Sequence, residues 1–107
     1  MKRGDVVTIA LSGDDGQPRP ALIIQSDLFD AHPSITVLPV TSELREAPLF
    51  RIRIEPNDDN GFRKISEVMV DKPHTVARDK IGKRIGHLDD RSMLAINRAL
   101  AVFLGFA

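Results

Sequence analysis

Residues 19–42, RPALIIQSDLFDAHPSITVLPVTS, decide the architecture of this chain. Two apolar runs, 21–24 and 35–40, are rich in β-branched residues and have the length of buried strands. A polar side chain marks one end of each: Arg19 precedes the first run, and Thr41 and Ser42 follow the second. Paired as antiparallel neighbours, the start of one strand lies beside the end of the other, so Arg19 and Thr41 meet at one rim of the sheet. A cation beside a hydroxyl at such a rim can hold a phosphate. Between the runs, Ser26 or Asp27 is placed to cap a single helical turn that Pro33 ends. Pro39 cannot donate to a ladder, which predicts that the third strand lies at an edge or carries a bulge there.

Outward from this stretch the pattern stays β. Val7, Ile9 and Leu11 share one face of a first strand, and Ser12 to Pro18 is turn chemistry throughout. Downstream, Arg51 and Arg53 alternate with Ile52 and Ile54, predicting a half-buried strand with the arginines on its wet face. A turn at 55–61 leads to a strand from Ser66 to Asp71. Residues 74–79 read as a linker with a capped turn, and 83–88 as a short strand. The period then changes. Met93, Ile96, Leu100 and Phe103 recur at helical spacing behind an N-cap at Asp89 or Asp90, predicting about four turns that end near Gly105. Short antiparallel strands with one terminal helix predict a mainly β fold, a small barrel or strongly curled sheet covered by that helix.

At 107 residues and 42% hydrophobic content, the chain forms one domain, 1–107, with a core that needs no staple. Cysteine is absent, which excludes thiol catalysis and fits a reducing, cytoplasmic setting. No apolar run approaches the roughly 20 residues of a membrane span, so the chain reads as soluble and unprocessed. Net charge is zero, which argues against a bulk polyanion binder, but residues 1–60 carry 6 basic against 10 acidic groups and residues 61–107 carry 9 against 5. That asymmetry permits a local basic surface.

Several chemistries fall away. His32, His74 and His87 lack metal-ligand spacing and read as loop or sheet-edge residues, so no metal and no cofactor is predicted. The Asp14-Asp15, Asp58-Asp59 and Asp89-Asp90 pairs sit at turns or caps. With neither Tyr nor Trp, base stacking would fall to Phe29, Phe50 or Phe62, of which at least two suit the core better.

Five blocks in register resemble the MazF/PemK family: Arg3-Gly4-Asp5-Val6; Arg19-Pro20-Ala21-Leu22-Ile23-Ile24; Leu38-Pro39-Val40-Thr41-Ser42; Lys64, Ser66 and Glu67-Val68 leading to Val70-Asp71-Lys72-Pro73-His74-Thr75; and Ile85-Gly86-His87-Leu88. The resemblance implies an SH3-like barrel, a two-fold homodimer and a type II toxin that cuts single-stranded RNA without a metal. It also implies a small cognate antitoxin. Metal-free RNA cleavage moves a proton off the 2′-OH, stabilises a phosphorane and protonates the 5′ oxygen, so one cation and one or two proton carriers suffice. Arg19 is the best cation, because its planar fork grips two phosphate oxygens; Thr41 would donate to the same phosphate. Asp71 corresponds to an acidic residue that some relatives use as a base, although one branch has an arginine two residues earlier where this chain has Met69. Gln25, Ser42, Lys64 and Ser66 are the candidate RNA contacts, and the loops at 12–18 and 56–62 are candidates for base choice. Related gyrase-poisoning toxins share the barrel and offer an alternative, a non-catalytic protein-binding module. Their activity depends on a tryptophan near the C-terminus, and this chain ends Phe103-Leu104-Gly105-Phe106-Ala107.

Overall fold

The computed structural model describes residues 1–10 and 17–107. Leu11 and most of the loop expected at 12–18 lie outside the described residues. In chain order the elements are β1 (Asp5–Ile9), β2 (Arg19–Ile23), β3 (Ser34–Thr41), β4 (Arg51–Ile54), β5 (Ser66–Met69), β6 (His74–Ala77), β7 (Ile81–His87) and α1 (Asp90–Leu104), with single 3₁₀ turns at Asp27–Phe29 and Arg78–Lys80. All pairings are antiparallel. The strand order is β4-β5-β3-β2-β1-β7, with β6 beside β3.

The apolar runs are continuous because β1, β2 and β3 are buried on both faces. Val6, Leu22, Leu38 and Val40 point into the core that also holds Ile96 and Leu100 of α1. Val7, Ile9, Ala21, Ile23, Ile35 and Val37 form a second core on the opposite face. Phe50 and Phe62 pack against the first core, while Phe29 is exposed. No helix among the described residues is long and apolar enough to cross a membrane.

β3 is a central strand, so of the two alternatives that Pro39 predicts, an edge or a bulge, the edge is excluded and an irregularity in the ladder is found. Its partner changes at the proline: Ser34–Val37 pair with β6, and Val40 and Thr41 pair with β5. Two residues of β3 separate Val37 from Val40, whereas five separate Val68 from His74 on the other side, so the partner strand loops out at this point. A proline is tolerated there because the ladder is already interrupted. The excursion carries Asp71, Lys72 and Pro73. The segment expected to be a linker at 74–79 is therefore β6 followed by a 3₁₀ turn; only Val76 of its four strand residues is buried, which left no alternation to read.

The sheet curls, and among the described residues its outer strands β4 and β7 do not pair. The loop after β4 bridges that gap instead. His87 donates its backbone N–H to the Asp59 carbonyl at 2.8 Å, and Gly86 lies so close to Asn60 that a Cβ would collide with the loop backbone. Asn60, itself buried, holds the loop in shape: its Oδ1 accepts from the N–H groups of Asn57 and Phe62, and its Nδ2 donates to the Glu55 carbonyl. The helix has the expected ends. Asp89 accepts from the Ser92 N–H at 2.7 Å, and Gly105 closes the C-terminus at φ 83°, where a side chain would be strained. Ile96, Ala99 and Leu100 are buried, but Phe103, expected on the core face, is 47% exposed because the helix end runs past the core.

Candidate active site

Strand register brings Arg19 and Thr41 together. The β2–β3 ladder ends with Ala21 paired to Pro39, and antiparallel direction then brings Arg19, two residues before Ala21, and Thr41, two residues after Pro39, to the same rim. Both line one cleft of about 270 Å³, together with Ile9, Pro39, Val40, Met69, Lys72 and His74. Arg19 is exposed, and the Thr41 hydroxyl accepts from the Glu43 N–H at 3.1 Å, which leaves its own proton to give to a ligand. Lys72 is a second cation in the cleft. Lys72 and His74, which read in the sequence as a turn and a linker, are exposed and reach the cleft from the strand excursion opposite Pro39 and from the first position of β6. Asp71 lies in that excursion between Met69 and Lys72, and its Oδ1 is buried with no hydrogen-bond partner among the described residues.

The candidate RNA contacts separate into two groups. Ser42, Lys64 and Ser66 line a groove of about 470 Å³ with Thr8, Pro20, Gly61, Phe62, Arg63, Lys83, Arg84 and Ile85. Period-2 alternation puts Pro20 and Ser42 on the face opposite Arg19 and Thr41, so this groove meets the cleft at the same rim from the other side. Arg63, Lys64, Lys83 and Arg84 make it cationic, and no carboxylate is among its described lining residues. The Ser66 hydroxyl itself donates to the Lys64 carbonyl at 3.1 Å. Gln25 belongs to neither group, contrary to expectation. Its Nε2 donates to the carbonyls of Phe29 (3.1 Å) and Ser34 (3.0 Å), and its Oε1 accepts from the Thr36 N–H at 3.1 Å. The amide fastens the 3₁₀ turn to β3. It also follows the far end of β2, about 20 Å from Arg19 at the usual rise per strand residue.

A cluster that the alternation concealed lies next to Thr41. Arg51, expected on the wet face, is only 8% exposed, and Glu67 only 1%. Glu67 Oε1 accepts from Arg51 Nη1 (3.2 Å) and the Arg45 N–H (2.9 Å), and its Oε2 accepts from Arg53 Nη2 (2.8 Å) and Nε (3.2 Å). Burial alone would raise the Glu67 pKa; hydrogen bonds from Arg53, the Arg45 N–H and Arg51 outweigh it and hold the carboxyl below its ordinary range. Elsewhere, Asp5 is buried, and it accepts from the Lys2 N–H (2.9 Å) while meeting Arg84 Nε (3.2 Å) and His87 Nδ1 (3.1 Å). Burial would raise its pKa as well, but these partners lower it. Among the described residues, no group of three or more His, Asp or Glu side chains converges as a metal-holding set.

A curled antiparallel sheet carries a capping helix, and at its rim a cation–hydroxyl pair stands beside a basic groove. Residues 2–104 match the family described as PemK-like, MazF-like toxin of type II toxin-antitoxin system. The chain belongs to that family. It is 49% identical over 108 residues to the probable endoribonuclease MazF of Mycolicibacterium smegmatis, covering 100% of this chain and 99% of the relative. It is 30% identical to the endoribonuclease EndoA of Bacillus subtilis, covering 97% and 94%. Among solved structures, an endoribonuclease in complex with its cognate antitoxin from a mycobacterial species superposes with a TM-score of 0.84 at 25% identity, covering 100% of this chain and 97% of that one.

Proposed function

We propose that this chain is the toxin of a type II toxin–antitoxin pair, an endoribonuclease of the bacterial cytoplasm that cuts single-stranded RNA by attack of the RNA's own 2′-OH. Arg19 and Thr41 hold the scissile phosphate. The observation that carries this reading is their convergence on one cleft from the start of β2 and the end of β3. The permanent charge of Arg19 stabilises the phosphorane, and Thr41 donates to a non-bridging oxygen. Lys72 adds positive charge, which favours the dianionic transition state over the monoanionic diester. His74, which lines the cleft, and Asp71, which precedes Lys72 in the strand excursion, are the proton carriers. RNA approaches over the rim through the groove of Ser42, Lys64 and Ser66, whose cations bind the backbone without reading sequence. A flexible segment of the cognate antitoxin covers Arg19 and so competes with RNA.

The test is incubation of the purified protein with a long RNA, with and without EDTA, followed by mapping of the cut ends. Fragments with a 2′,3′-cyclic phosphate and a free 5′-OH, in equal yield with chelator, are expected because the nucleophile is supplied by the substrate. Cleavage that stops on chelation overturns the mechanism. Toxicity in cells without any RNA cutting would instead favour a protein-binding toxin on the same fold.

A further inference from the structure

The row of side chains that begins at Thr41 continues past the cleft. Thr41 pairs with Glu67, and Glu67 pairs with Arg53, so Thr41, Glu67 and Arg53 stand side by side on one face of three adjacent strands, and Arg19 lines the same cleft as Thr41. Beyond Glu67 lies a separate open cleft of about 340 Å³ beneath the β3–β4 connection, lined by Arg45, Glu46, Arg51, Arg53 and Glu67 among others. From Thr41 to Arg53 the sheet takes two strand steps, about 10 Å. That is too far for Arg53 to share the scissile phosphate and suits a neighbouring one on the same RNA strand.

We infer that this cleft is a second phosphate subsite for the RNA substrate, with Arg53 as its principal cation and Glu67 as the residue that positions it. The inference rests on the reading that this protein binds and cuts RNA. Three features point to an anion. The Arg51 side chain is 7% exposed and its Nε has no hydrogen-bond partner among the described residues, although a buried guanidinium N–H is costly to leave unpaired. Arg53 is 44% exposed, its Nε and Nη2 are fixed to one Glu67 oxygen and Nη2 also meets Glu46 Oε1 at 3.5 Å, so the guanidinium is pre-oriented while part of it remains open to solvent. Three arginines face two glutamates in the lining, leaving an excess of positive charge continuous with Arg19 and Lys72 in the adjoining cleft. Glu67 serves a second purpose: by accepting from the Arg45 N–H it holds the connection that roofs the cleft.

The experiment is equilibrium binding of a 2′-O-methyl RNA of about ten nucleotides, which cannot be cut, to the full chain over a range of salt concentrations. Arg53→Gln is expected to weaken binding and to lower the slope of log affinity against log salt by about 0.7, the value of one single-strand phosphate contact. Arg53→Lys, which keeps the charge and loses the fork, should recover the slope but only part of the affinity. In cleavage assays Arg53→Gln should raise KM several-fold with kcat nearly unchanged. Arg45→Gln is the second variant, because the backbone of Arg45, and not its side chain, bonds Glu67; it should weaken binding in the same sense without loosening the frame. An unchanged salt slope in both variants overturns the subsite. So does a result in which RNA binding is unaffected but binding of an oligoglutamate peptide falls, since the cleft would then dock an acidic protein segment. A wild-type chain that binds the RNA analogue but cuts no RNA would refute the nuclease reading and leave the subsite standing.

Discussion

A guanidinium and a hydroxyl are unequal partners for a phosphate, and the variants should show it. Arg19→Ala removes a permanent charge from the developing dianion and is expected to lower kcat by about 10²- to 10³-fold, with Thr41→Ala costing less because a neutral donor stabilises less charge. Both side chains stand at a rim, so far-UV spectra and melting temperatures should be nearly unaltered; a cleavage rate that survives Arg19→Ala refutes the site. For the proton carriers, His74→Gln and Asp71→Asn separate the possibilities. His74 lines the cleft, so its loss should lower kcat by on the order of 10²-fold while leaving RNA binding nearly unchanged. An unaltered kcat would return that role to Asp71. Stability has its own residue-scale signature. Asp5 and Glu67 both have depressed pKa values in the fold, against ordinary values of 3.8 and 4.5. Each binds fewer protons folded than unfolded, so the stability it contributes is complete above its unfolded pKa and is lost as pH falls through the lower folded value. Thermal melts should therefore be flat from neutrality down to about pH 5 and fall steeply below it, with the acid fall shallower in Glu67→Gln. At neutral pH that variant should lose about 3 kcal/mol, because Arg51 is left charged and buried with its main partner gone. A melting temperature that keeps the wild-type acid dependence would show that Glu67 titrates normally.

Elements were legible in the sequence where burial imposed a pattern. Continuous apolar runs gave β1, β2 and β3 because both faces of those strands are covered, and Asp89 and Gly105 marked α1 because helix ends have unpaired backbone groups that few residues satisfy. β6 was not legible, since a strand with a single buried residue has no alternation. Arg51 and Gln25 were misplaced for a related reason: a polar side chain bonded to a protein partner and one facing water leave the same letter in the sequence, and only the position of Glu67, or of the Phe29 and Ser34 carbonyls, tells them apart. Arg19 and Thr41 were placed correctly because antiparallel register follows from two strands and a short connection alone. The seam between β4 and β7 is likewise invisible to pattern, being made by the loop at 55–62. It gives an element-scale prediction. A methyl group at Gly86 meets the Asn60 and Asp59 backbone, which is fixed by the three Asn60 side-chain bonds and cannot retreat cheaply. Gly86→Ala should destabilise by about 1–3 kcal/mol, read as a lower denaturant midpoint at unchanged slope. An unaltered midpoint would mean that the loop does not close the curl.

At the scale of the whole molecule, the surface is unfinished at the end of α1. Val102, Phe103, Leu104 and Phe106 are 59%, 47%, 49% and 81% exposed, four adjacent or nearly adjacent apolar side chains on the last turn and the tail. Their exposure follows from the geometry of the core, which ends at Leu100 while the helix runs on to Leu104. Contiguous apolar surface of this kind marks an association site, and a closed two-fold pair is the commonest way for identical chains to cover it. We therefore expect a homodimer in solution, with α1 ends at or near the interface. Sedimentation at micromolar concentration should give a species of about twice the 11.8 kDa chain mass. The double variant Phe103→Glu, Phe106→Glu should move the equilibrium toward the monomer by on the order of 100-fold, since each buried phenylalanine contributes about 1.5 kcal/mol or more. Because neither ring belongs to the folded core, helix content by far-UV spectroscopy should be retained. A wild-type chain that sediments only at the monomer mass, or a double variant that remains as tightly paired as the wild type, would place the covering of this surface elsewhere than in a second copy of the chain.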